Sequence, residues 1–418
     1  MRALAVLVTS SALVAASDDW PQYHGPRGDG TSPESVAVRG FPEGGPPAAW
    51  KRAVETGFSS FAVQGDGAYT LVARDGREVV LKLEAASGKE LWATPLSKAD
   101  FDGGGDAGAD ENKGGDGPRS TPSVVDGRVY ALDAQLVLAC LDAASGKSLW
   151  QHDLVKEFGG RLIQWQSAAS PLVEGGRVFV AGGGADESLL AFDAKSGEVA
   201  WATGDEKMTH ATPVAATLHG QRQVLFFVQA GLIAVAPESG TILWRTEFPY
   251  RTSTAASPVG DGDIVYCSAG YGVGAAAWRI HKKGDALEPE LLWRAQNKLI
   301  NHWSTPVVKD GHLYGLFSFK EYGEGPLKCV ELATGEERWT REGFGPGNCI
   351  LVGSTLVVLS DAGELVLVDP KPDAFHELAR ADVLDGKCWS TPAFSQGALY
   401  LRSTSEAVRL DLAGRGGG

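Results

Sequence analysis

Four side chains that could bind a flat, charged ligand occupy one recurring place in the sequence, three residues before the proline of a repeated motif. They are Arg119, His210, Trp303 and Trp389, and each Trp begins a copy of Trp-Ser-Thr-Pro. Aromatic faces stack on flat groups, while guanidinium and ammonium groups pair with carboxylates. The combination predicts a site for a small polar or anionic ligand. The alternative is that Trp303 and Trp389 plug the centre of the fold.

Further residues flank this place in other copies of the motif. The candidate binding residues are Arg119, Trp165, His210, Arg251, Asn301, His302, Trp303, Asn348, Lys387 and Trp389. If the site is catalytic, His210 and His302 are the candidate bases, because imidazole transfers protons near neutral pH. No metal-ligand motif is predicted. The Gly/Asp-rich stretch 97–118 lacks the spacing of an EF-hand loop, and we interpret it as a flexible insertion.

A repeat of roughly 40–50 residues must position these side chains. The motif prolines are Pro122, Pro171, Pro213, Pro258, Pro306 and Pro392. They are separated by 49, 42, 45, 48 and 86 residues, and the last interval holds a degenerate copy with Cys349 in the proline place. Another degenerate copy has Phe61 there. The chain therefore contains eight units.

A second signature gives the local structure of each unit. In five units a Trp follows a Gly by four residues, in the pairs Gly88/Trp92, Gly146/Trp150, Gly197/Trp201, Gly240/Trp244 and Gly335/Trp339. Such a pattern predicts a hairpin, in which the Gly takes a positive φ at the corner and the next strand carries the Trp inward. We expect these indoles, with that of Trp293, to fill the space between neighbouring units.

Units of this length with four short strands predict an all-β, eight-bladed propeller of four-stranded blades over residues 48–412. The eighth unit ends before its Trp strand, while an unpaired strand surrounds Trp50 near the start of the chain. We expect the strand around Trp50 to complete the last blade. The innermost strands would line the axis, so the residues three positions before each motif proline would form a ring at its mouth.

The termini predict export. Residues 1–17 have the basic start, apolar stretch and small residues of a secretory signal peptide, and no other segment is apolar enough to cross a membrane. We expect a periplasmic or secreted monomer. Residues 18–47 would form an extended arm along the outside of the propeller, and residues 413–418 a disordered tail.

Charge and cysteine content exclude several classes of protein. The formal net charge of −14 argues against nucleic-acid binding and against binding to anionic membranes. The five cysteines form no Cys-x-x-Cys motif. We interpret them as buried small apolar residues, with a Cys349–Cys388 disulfide as the alternative.

The hairpin and Ser-Thr-Pro signatures resemble the pyrroloquinoline-quinone (PQQ)-like repeat of quinoprotein dehydrogenases and of the outer-membrane assembly propeller BamB. The stretches "WPQYHGPRGDGTS" at residues 20–32, "GDGPRSTP" at 115–122, "NHWSTP" and "GKCWSTP" are similar to those of exported bacterial PQQ-binding-like propellers. Two family features are missing: the adjacent cysteines of PQQ alcohol dehydrogenases and the lipid-anchor cysteine of BamB.

The leading hypothesis is an exported PQQ-like propeller that acts as a ligand-binding or protein-interaction scaffold through its axial mouth. The resemblance implies a quinoprotein-type oxidoreductase as the alternative, with PQQ and calcium at the same mouth. Trp303 or Trp389 would then stack on the quinone, Arg119 and Arg251 would hold its carboxylates, and His210 or His302 would act as base. A third hypothesis is glycan binding, because sugars also stack on Trp.

Overall fold

The computed structural model describes residues 19–99, 117–252 and 254–412, and these residues form eight antiparallel sheets. Each sheet has four strands, except that one receives an additional short strand from the arm. The predicted all-β, eight-bladed propeller is confirmed. The predicted signal peptide, the C-terminal tail and residues 100–116 of the insertion lie outside the described residues.

Each blade is built outward from the axis in chain order. The innermost strands of blades 1 to 8 are Ala62–Gln64, Ser123–Val125, Leu172–Glu174, Val214–Leu218, Val259–Asp261, Val307–Lys309, Asn348–Val352 and Ala393–Ser395. The second strands are Gly67–Arg74, Arg128–Leu132, Arg177–Ala181, Gln221–Val228, Ile264–Ala269, His312–Leu316, Thr355–Leu359 and Ala398–Arg402.

The outer half of each blade carries the Trp signature. The third strands are Arg77–Glu84, Val137–Asp142, Leu189–Asp193, Gly231–Val235, Gly274–Lys283, Leu327–Glu331, Glu364–Pro370 and Glu406–Asp411. The outermost strands are Glu90–Lys98, Ser148–Asp153, Val199–Thr203, Ile242–Arg245, Ala286–Ala295, Glu337–Arg341, Phe375–Asp382 and, for blade 8, Ala48–Ala53. One short helix, Leu154–Phe158, follows blade 2, and Asp153 caps it by accepting a hydrogen bond from the Lys156 amide.

Neighbouring blades are joined by an indole that docks on a turn glycine. Gly146 has a φ of +71°, and a Cβ at this residue would lie 2.7 Å from the indole of Trp92 in the preceding blade. Trp92 Nε1 donates to the Ala143 carbonyl at 3.2 Å. The same contact joins Trp50 to Gly88, Trp150 to Gly197, Trp201 to Gly240 and Trp293 to Gly335. The prediction that these indoles lie between blades is confirmed.

Trp50 closes the ring as predicted. Its strand, Ala48–Ala53, pairs with Glu406–Asp411 of blade 8, and its Nε1 donates to Ala85 of blade 1 at 2.9 Å. Arg402 strengthens the same junction. Its side chain is 1% exposed and donates to the Leu71 and Glu55 carbonyls, each at 2.9 Å.

Three junctions depart from the common contact. Trp339 of blade 6 meets no docking glycine and donates to the Lys371 carbonyl of blade 7 at 2.8 Å. In blade 5 the third and fourth strands are ten residues long, and the glycine of their turn, Gly284, has no neighbour within 4 Å of an added Cβ. Trp244 of blade 4 donates instead to Gln223 Oε1 at 2.7 Å. In blade 7 no Trp is present, and Ala379 belongs to a cluster that also contains Val36 of the arm. The arm therefore supplies apolar volume where the seventh unit lacks its indole.

The Ser or Thr before each motif proline forms a second set of links between blades. The amide of Ser60 donates to Thr121 Oγ1 at 3.0 Å, that of Thr121 to Ser170 Oγ at 2.9 Å, and that of Ser170 to Thr212 Oγ1 at 2.9 Å. Ser257 makes the same bond to Thr305, also at 2.9 Å. This belt of hydroxyl groups explains why Ser-Thr-Pro recurs.

We predicted that the arm runs along the outside of the propeller, but residues 20–34 do not. This part of the arm crosses the end of the axis opposite the ring of candidate residues, because it hydrogen-bonds to innermost strands of several blades. Its short strand Thr31–Ser32 pairs in parallel with Asn348–Val352 of blade 7. The innermost strands expose unpaired backbone groups toward the axis, and the arm satisfies part of them.

The five cysteines are free and buried. Cys349 lies in the core against the Tyr314 carbonyl, whereas Cys388 contacts the Gly386 carbonyl. The interpretation as buried small apolar residues is confirmed, and the alternative Cys349–Cys388 disulfide is wrong.

Replacing a docking glycine should weaken the ring more than replacing a glycine of equal backbone conformation elsewhere. We expect Gly146→Ala to lower the free energy of unfolding by about 2–4 kcal/mol, from backbone strain and overpacking together. Gly127→Ala is the control, since Gly127 has a φ of +72° but nothing within 4 Å of the added Cβ. Gly127→Ala should lower the free energy of unfolding only by the cost of backbone strain, about 1 kcal/mol. Equal losses in urea denaturation would contradict the docking role.

Candidate functional site

A cavity of about 140 Å³ lies on the propeller axis, behind the mouth. We call it the axial cavity. Seven of the eight positions three residues before the motif proline line it, and only Pro346 does not. These lining residues are Phe58, Arg119, Ala168, His210, Ala255, Trp303 and Trp389. The repeat register therefore brings residues that are far apart in sequence to one site.

The far end of the axial cavity is closed by Tyr23 of the arm. Tyr23 lines the cavity and hydrogen-bonds to the side chains of Thr305 and Thr391. Burial raises the pKa of this Tyr. Ser60, Thr121 and other hydroxyl groups of the belt lie beside it. The cavity thus has a floor of hydroxyl groups and opens toward the mouth.

One wall of the cavity is a cluster of stacked rings around Trp389. Its ring centroid lies 4.5 Å from that of Trp303 and 5.3 Å from that of Phe58. Trp303 Nε1 donates to the Pro346 carbonyl at 3.0 Å, and Asn348 Nδ2 donates to the Trp389 carbonyl at 2.6 Å. The first bond holds the indole of Trp303, and the second holds the backbone of Trp389.

A second wall, which adjoins the first where His302 contacts Trp303, is formed by Trp165, Tyr271 and His302. The rings of Trp165 and Tyr271 are nearly parallel, with an interplanar angle of 16° and centroids 6.3 Å apart. Trp165 has a φ of +66°, a backbone conformation that residues other than Gly rarely adopt. Arg119 Nη1 stabilises this turn by donating to the Trp165 carbonyl at 3.0 Å.

Three cations lie over the aromatic rings. Lys387 Nζ is 4.3 Å from the centroid of Trp389, Lys320 Nζ is 5.5 Å from that of Tyr271, and the Arg119 guanidinium carbon is 5.8 Å from that of Phe58. Cations in this position are attracted by the ring face. Within the described part of the chain, neither Asp nor Glu lines the axial cavity. The site is positive on a protein with a net charge of −14.

The two imidazoles of the site are neutral at physiological pH. Burial, with smaller contributions from the nearby Arg119 and His302, lowers the pKa of His210 to about 3. Burial likewise lowers the pKa of His302 to about 3, with a contribution from Lys320. The positive charge of the mouth therefore comes from lysine and arginine.

A wider groove of about 670 Å³ adjoins the cavity at Trp389. We call it the outer groove; its lining includes Lys320, Glu321, Tyr322, Asp361 and Lys387. The Asp361 carboxylate accepts from the Gly323 amide at 2.9 Å, and burial raises its pKa. A ligand too long for the cavity would extend into this groove.

The structure brings together six of the ten candidate residues at the axial cavity: Arg119, Trp165, His210, His302, Trp303 and Trp389. Lys387 lies beside them in the outer groove. The other three do not line the cavity. Asn301 is fully buried and bonds to the Leu316 carbonyl and the Tyr266 hydroxyl, Asn348 lies behind Trp389, and Arg251 is exposed.

Sequence reasoning missed three residues that line the cavity, namely Tyr23, Tyr271 and Lys320. Tyr271 lies in a loop of blade 5 and Lys320 in a loop of blade 6, where the units have no common register. Phe58 was also left out of the candidate set, although it occupies the ring place of the first unit. The alignment of units places Phe58 in the ring, but an apolar side chain without charge was not predicted as a binding residue.

Two kinds of feature, a metal-binding cluster and a membrane-spanning helix, are not found among the described residues. In residues 19–99, 117–252 and 254–412, no group of three or more His, Cys, Asp or Glu side chains is placed to hold a metal ion. In the same ranges no helix is long and apolar enough to cross a membrane.

Solved structures with this architecture include BamB from Moraxella catarrhalis and the quinohemoprotein alcohol dehydrogenase from Comamonas testosteroni. The first has a TM-score of 0.62 at 16% identity and covers 89% of this chain and 99% of its own. The second has a TM-score of 0.66 at 13% identity and covers 97% of this chain and 82% of its own. At these identities the similarity shows the fold alone.

Curated relatives carry the name outer membrane protein assembly factor BamB. The protein of Moranella endobia is 25% identical over 306 residues, which are 69% of this chain and 70% of that protein. The protein of Shewanella oneidensis is 25% identical over 271 residues, 60% of this chain and 64% of that protein. This chain thus spans about two thirds of the length of these relatives.

A family model described as outer membrane protein assembly factor BamB matches residues 76–341, more than half of the chain. This match agrees with the eight repeated units, the docking of Trp on Gly and the propeller architecture. The chain belongs to this family of PQQ-like β-propellers.

Proposed function

We propose that this chain is an exported, periplasmic binding module that holds a carboxylate-bearing group of a small ligand or of a protein segment in its axial mouth. The observation that carries the proposal is the composition of the cavity wall. Aromatic faces and cations line the cavity, while its described lining contains no carboxylate. On an acidic protein such a spot focuses anions.

The geometry supports an anionic group with a flat part. A ring entering the cavity would meet the faces of Trp303 and Trp389, and its carboxylate would lie within reach of Arg119 or Lys320. A hydrogen bond to a charged group contributes about 1.5–3 kcal/mol. The neutral imidazoles of His210 and His302 add polar contacts without charge.

The comparisons support a protein segment as one source of that group. Relatives of this chain are named as outer membrane protein assembly factors, which is a role among proteins outside the cytoplasm. The outer groove of about 670 Å³ continues from the cavity and offers room for the segment that carries the group. A periplasmic location and a protein partner follow from the same proposal.

PQQ with calcium does not fit the axial cavity. The axial cavity of about 140 Å³ is smaller than the roughly 300–1,000 Å³ of typical cofactor pockets, and its described lining supplies no carboxylate for calcium. In the outer groove the carboxylates of Glu321 and Asp361 already accept backbone hydrogen bonds, and no group of three possible metal ligands occurs among the described residues. Arg251, which would have held the cofactor, is exposed and outside the cavity. A His with a pKa of about 3 is also a weak general base at neutral pH. We therefore assign no oxidoreductase step.

Benzoate and benzyl alcohol form a matched pair of probes for the mouth, because they differ chiefly in charge. We expect benzoate to change the tryptophan fluorescence of the protein with a dissociation constant about tenfold or more below that of benzyl alcohol. Arg119→Gln should remove most of this difference, and Trp389→Ala should weaken both probes. Lys371→Gln, a change at an exposed cation of blade 7, is the control. Equal binding of the two probes would contradict the proposal.

Two further ligands separate the alternatives in the same assay. Glucuronate tests an acidic sugar, and binding of glucuronate but not benzoate would favour the glycan hypothesis. PQQ is titrated with and without calcium. Micromolar binding of PQQ that is lost in Trp303→Ala would replace the proposal with the quinoprotein hypothesis.

The affinity for benzoate should not change between pH 8 and pH 5. Protonation of His210 or His302 would add positive charge and strengthen anion binding. Because their pKa values are about 3, that gain should begin only below about pH 4, where benzoate itself starts to lose its charge. Calorimetric titrations at pH 8, 6.5 and 5 test this expectation. A tenfold gain at pH 5 would show that an imidazole at the mouth is charged.

A further inference from the structure

The end of the propeller opposite the mouth carries a repeated set of outward backbone groups. In every blade a two-residue turn joins the two inner strands, and the residue before the turn is hydrogen-bonded across the hairpin. The residue one position earlier therefore directs its amide and carbonyl toward the axis. We call it the edge position. The edge positions of blades 1 to 8 are Val63, Val124, Val173, Thr217, Gly260, Val308, Leu351 and Phe394.

The arm satisfies these amides along part of the ring. Val63 exchanges two backbone hydrogen bonds with Trp20, at 2.9 and 2.7 Å. The Val124 amide donates to the Pro21 carbonyl at 2.7 Å, and the Val173 amide to Gln22 Oε1 at 3.3 Å. Three successive arm residues thus form hydrogen bonds with the edge positions of three successive blades, one residue to each blade.

The arm returns to the ring at blade 7. The Leu351 amide donates to the Gly30 carbonyl at 2.9 Å, where Thr31–Ser32 adds its short parallel strand. Glu34 then accepts from the Gly397 amide of blade 8 at 2.7 Å. Under the arm, the edge positions of blades 1, 2, 3, 7 and 8 are all buried.

Blades 4, 5 and 6 are the open sector. Their edge residues Thr217 and Gly260 are exposed and Val308 is half-buried. All three line one cleft of about 380 Å³, which the arm residues His24–Thr31 bound on the other side. This volume lies within the roughly 300–1,000 Å³ range of binding pockets. We call it the arm cleft.

The lining of the arm cleft indicates the chemistry of its occupant. Val214, Val259 and Pro306 make the floor apolar. The arginines at the rim are already ion-paired, Arg27 with Asp29 at 2.9 Å and Arg222 with Glu174 at 2.8 Å. The exposed carboxylate of Asp261 also lines the cleft, so the rim disfavours an acidic ligand.

His24 forms part of the arm side of the cleft and carries an unsatisfied polar atom. It is 2% exposed and lines the cleft. Its Nε2 is buried without a hydrogen-bond partner among the described residues. A buried polar atom in this state costs free energy unless a ligand or water satisfies it.

We propose that the arm cleft binds an extended segment of a partner protein that carries no acidic side chain, and that this segment continues across blades 4–6 the ring of hydrogen bonds that the arm makes on blades 1–3. The segment bonds through its backbone to the amides of Thr217, Gly260 and Val308, as strands added to open sheet edges do. Its apolar side chains pack on the cleft floor. The site is separate from the axial mouth and does not depend on the function proposed for it.

A phage-displayed library of random linear heptapeptides, selected on the full chain, supplies the probe. Synthetic peptides from the selection are measured by fluorescence anisotropy against Thr217→Pro/Val308→Pro, which lacks two of the three amides. Proline is tolerated on edge strands where the amide faces outward. We expect binding to weaken about tenfold or more. Thr217→Ala/Val308→Ala keeps both amides and is the matched control, for which affinity should stay within about threefold.

Hydrogen exchange gives a readout that needs no variant to fold. The bound peptide should slow exchange of the Thr217, Gly260 and Val308 amides about tenfold or more. Unchanged exchange, equal affinity for the proline and alanine variants, or no enriched peptide would each overturn the proposal. Loss of peptide binding in Trp389→Ala with the proline variant unaffected would also overturn it, because the peptide would then lie at the mouth.

Discussion

The ring depends on one repeated contact, in which an outer-strand Trp lies against the turn glycine of the next blade. A single blade leaves both sheet faces without a partner, so stability comes from the junctions. The missing side chain of glycine lets the indole reach the backbone, where its N–H finds a carbonyl. Trp50 makes the same contact across the gap between the first and last blades, so the strand from the N-terminal part closes the ring.

The Trp contact and the hydroxyl belt together decide where function can reside. Both contacts use the same residue types in most blades. Neither contact involves the residue three positions before the motif proline. That position holds Ala in two blades and Trp in two others. A small residue there is structurally sufficient. The fold therefore does not require the large and charged side chains at the mouth, although Trp303 and Trp389 also fill space around the axis.

The sequence predicted those features that share the repeat register, namely the eight blades, the closing strand and most of the ring. Residues outside the register were missed, because Tyr271 and Lys320 reach the cavity from loops that have no counterpart in other blades. A residue close in sequence to a ring position was also wrongly predicted to line the cavity. Asn301 is two residues from Trp303, but its side chain points away from the axis to the Leu316 carbonyl. The path of the arm depends on backbone hydrogen bonds to distant strands, which leave no pattern in composition.

Tyr23 makes the arm part of the site. Its hydroxyl bonds to Thr305 and Thr391, and each of these residues lies two positions after one of the two cavity Trp residues. Two short stretches, 303–305 before the innermost strand of blade 6 and 389–391 before that of blade 8, thus connect the two indoles at the mouth to the arm at the far end. Because protein interiors are close-packed, a displacement of Trp303 or Trp389 acts on the floor of the cavity through these stretches. Tyr23 lines the axial cavity but not the arm cleft, and the next arm residue, His24, lines the cleft but not the cavity. The two sites therefore share no lining residue and are separated between adjacent residues of the arm.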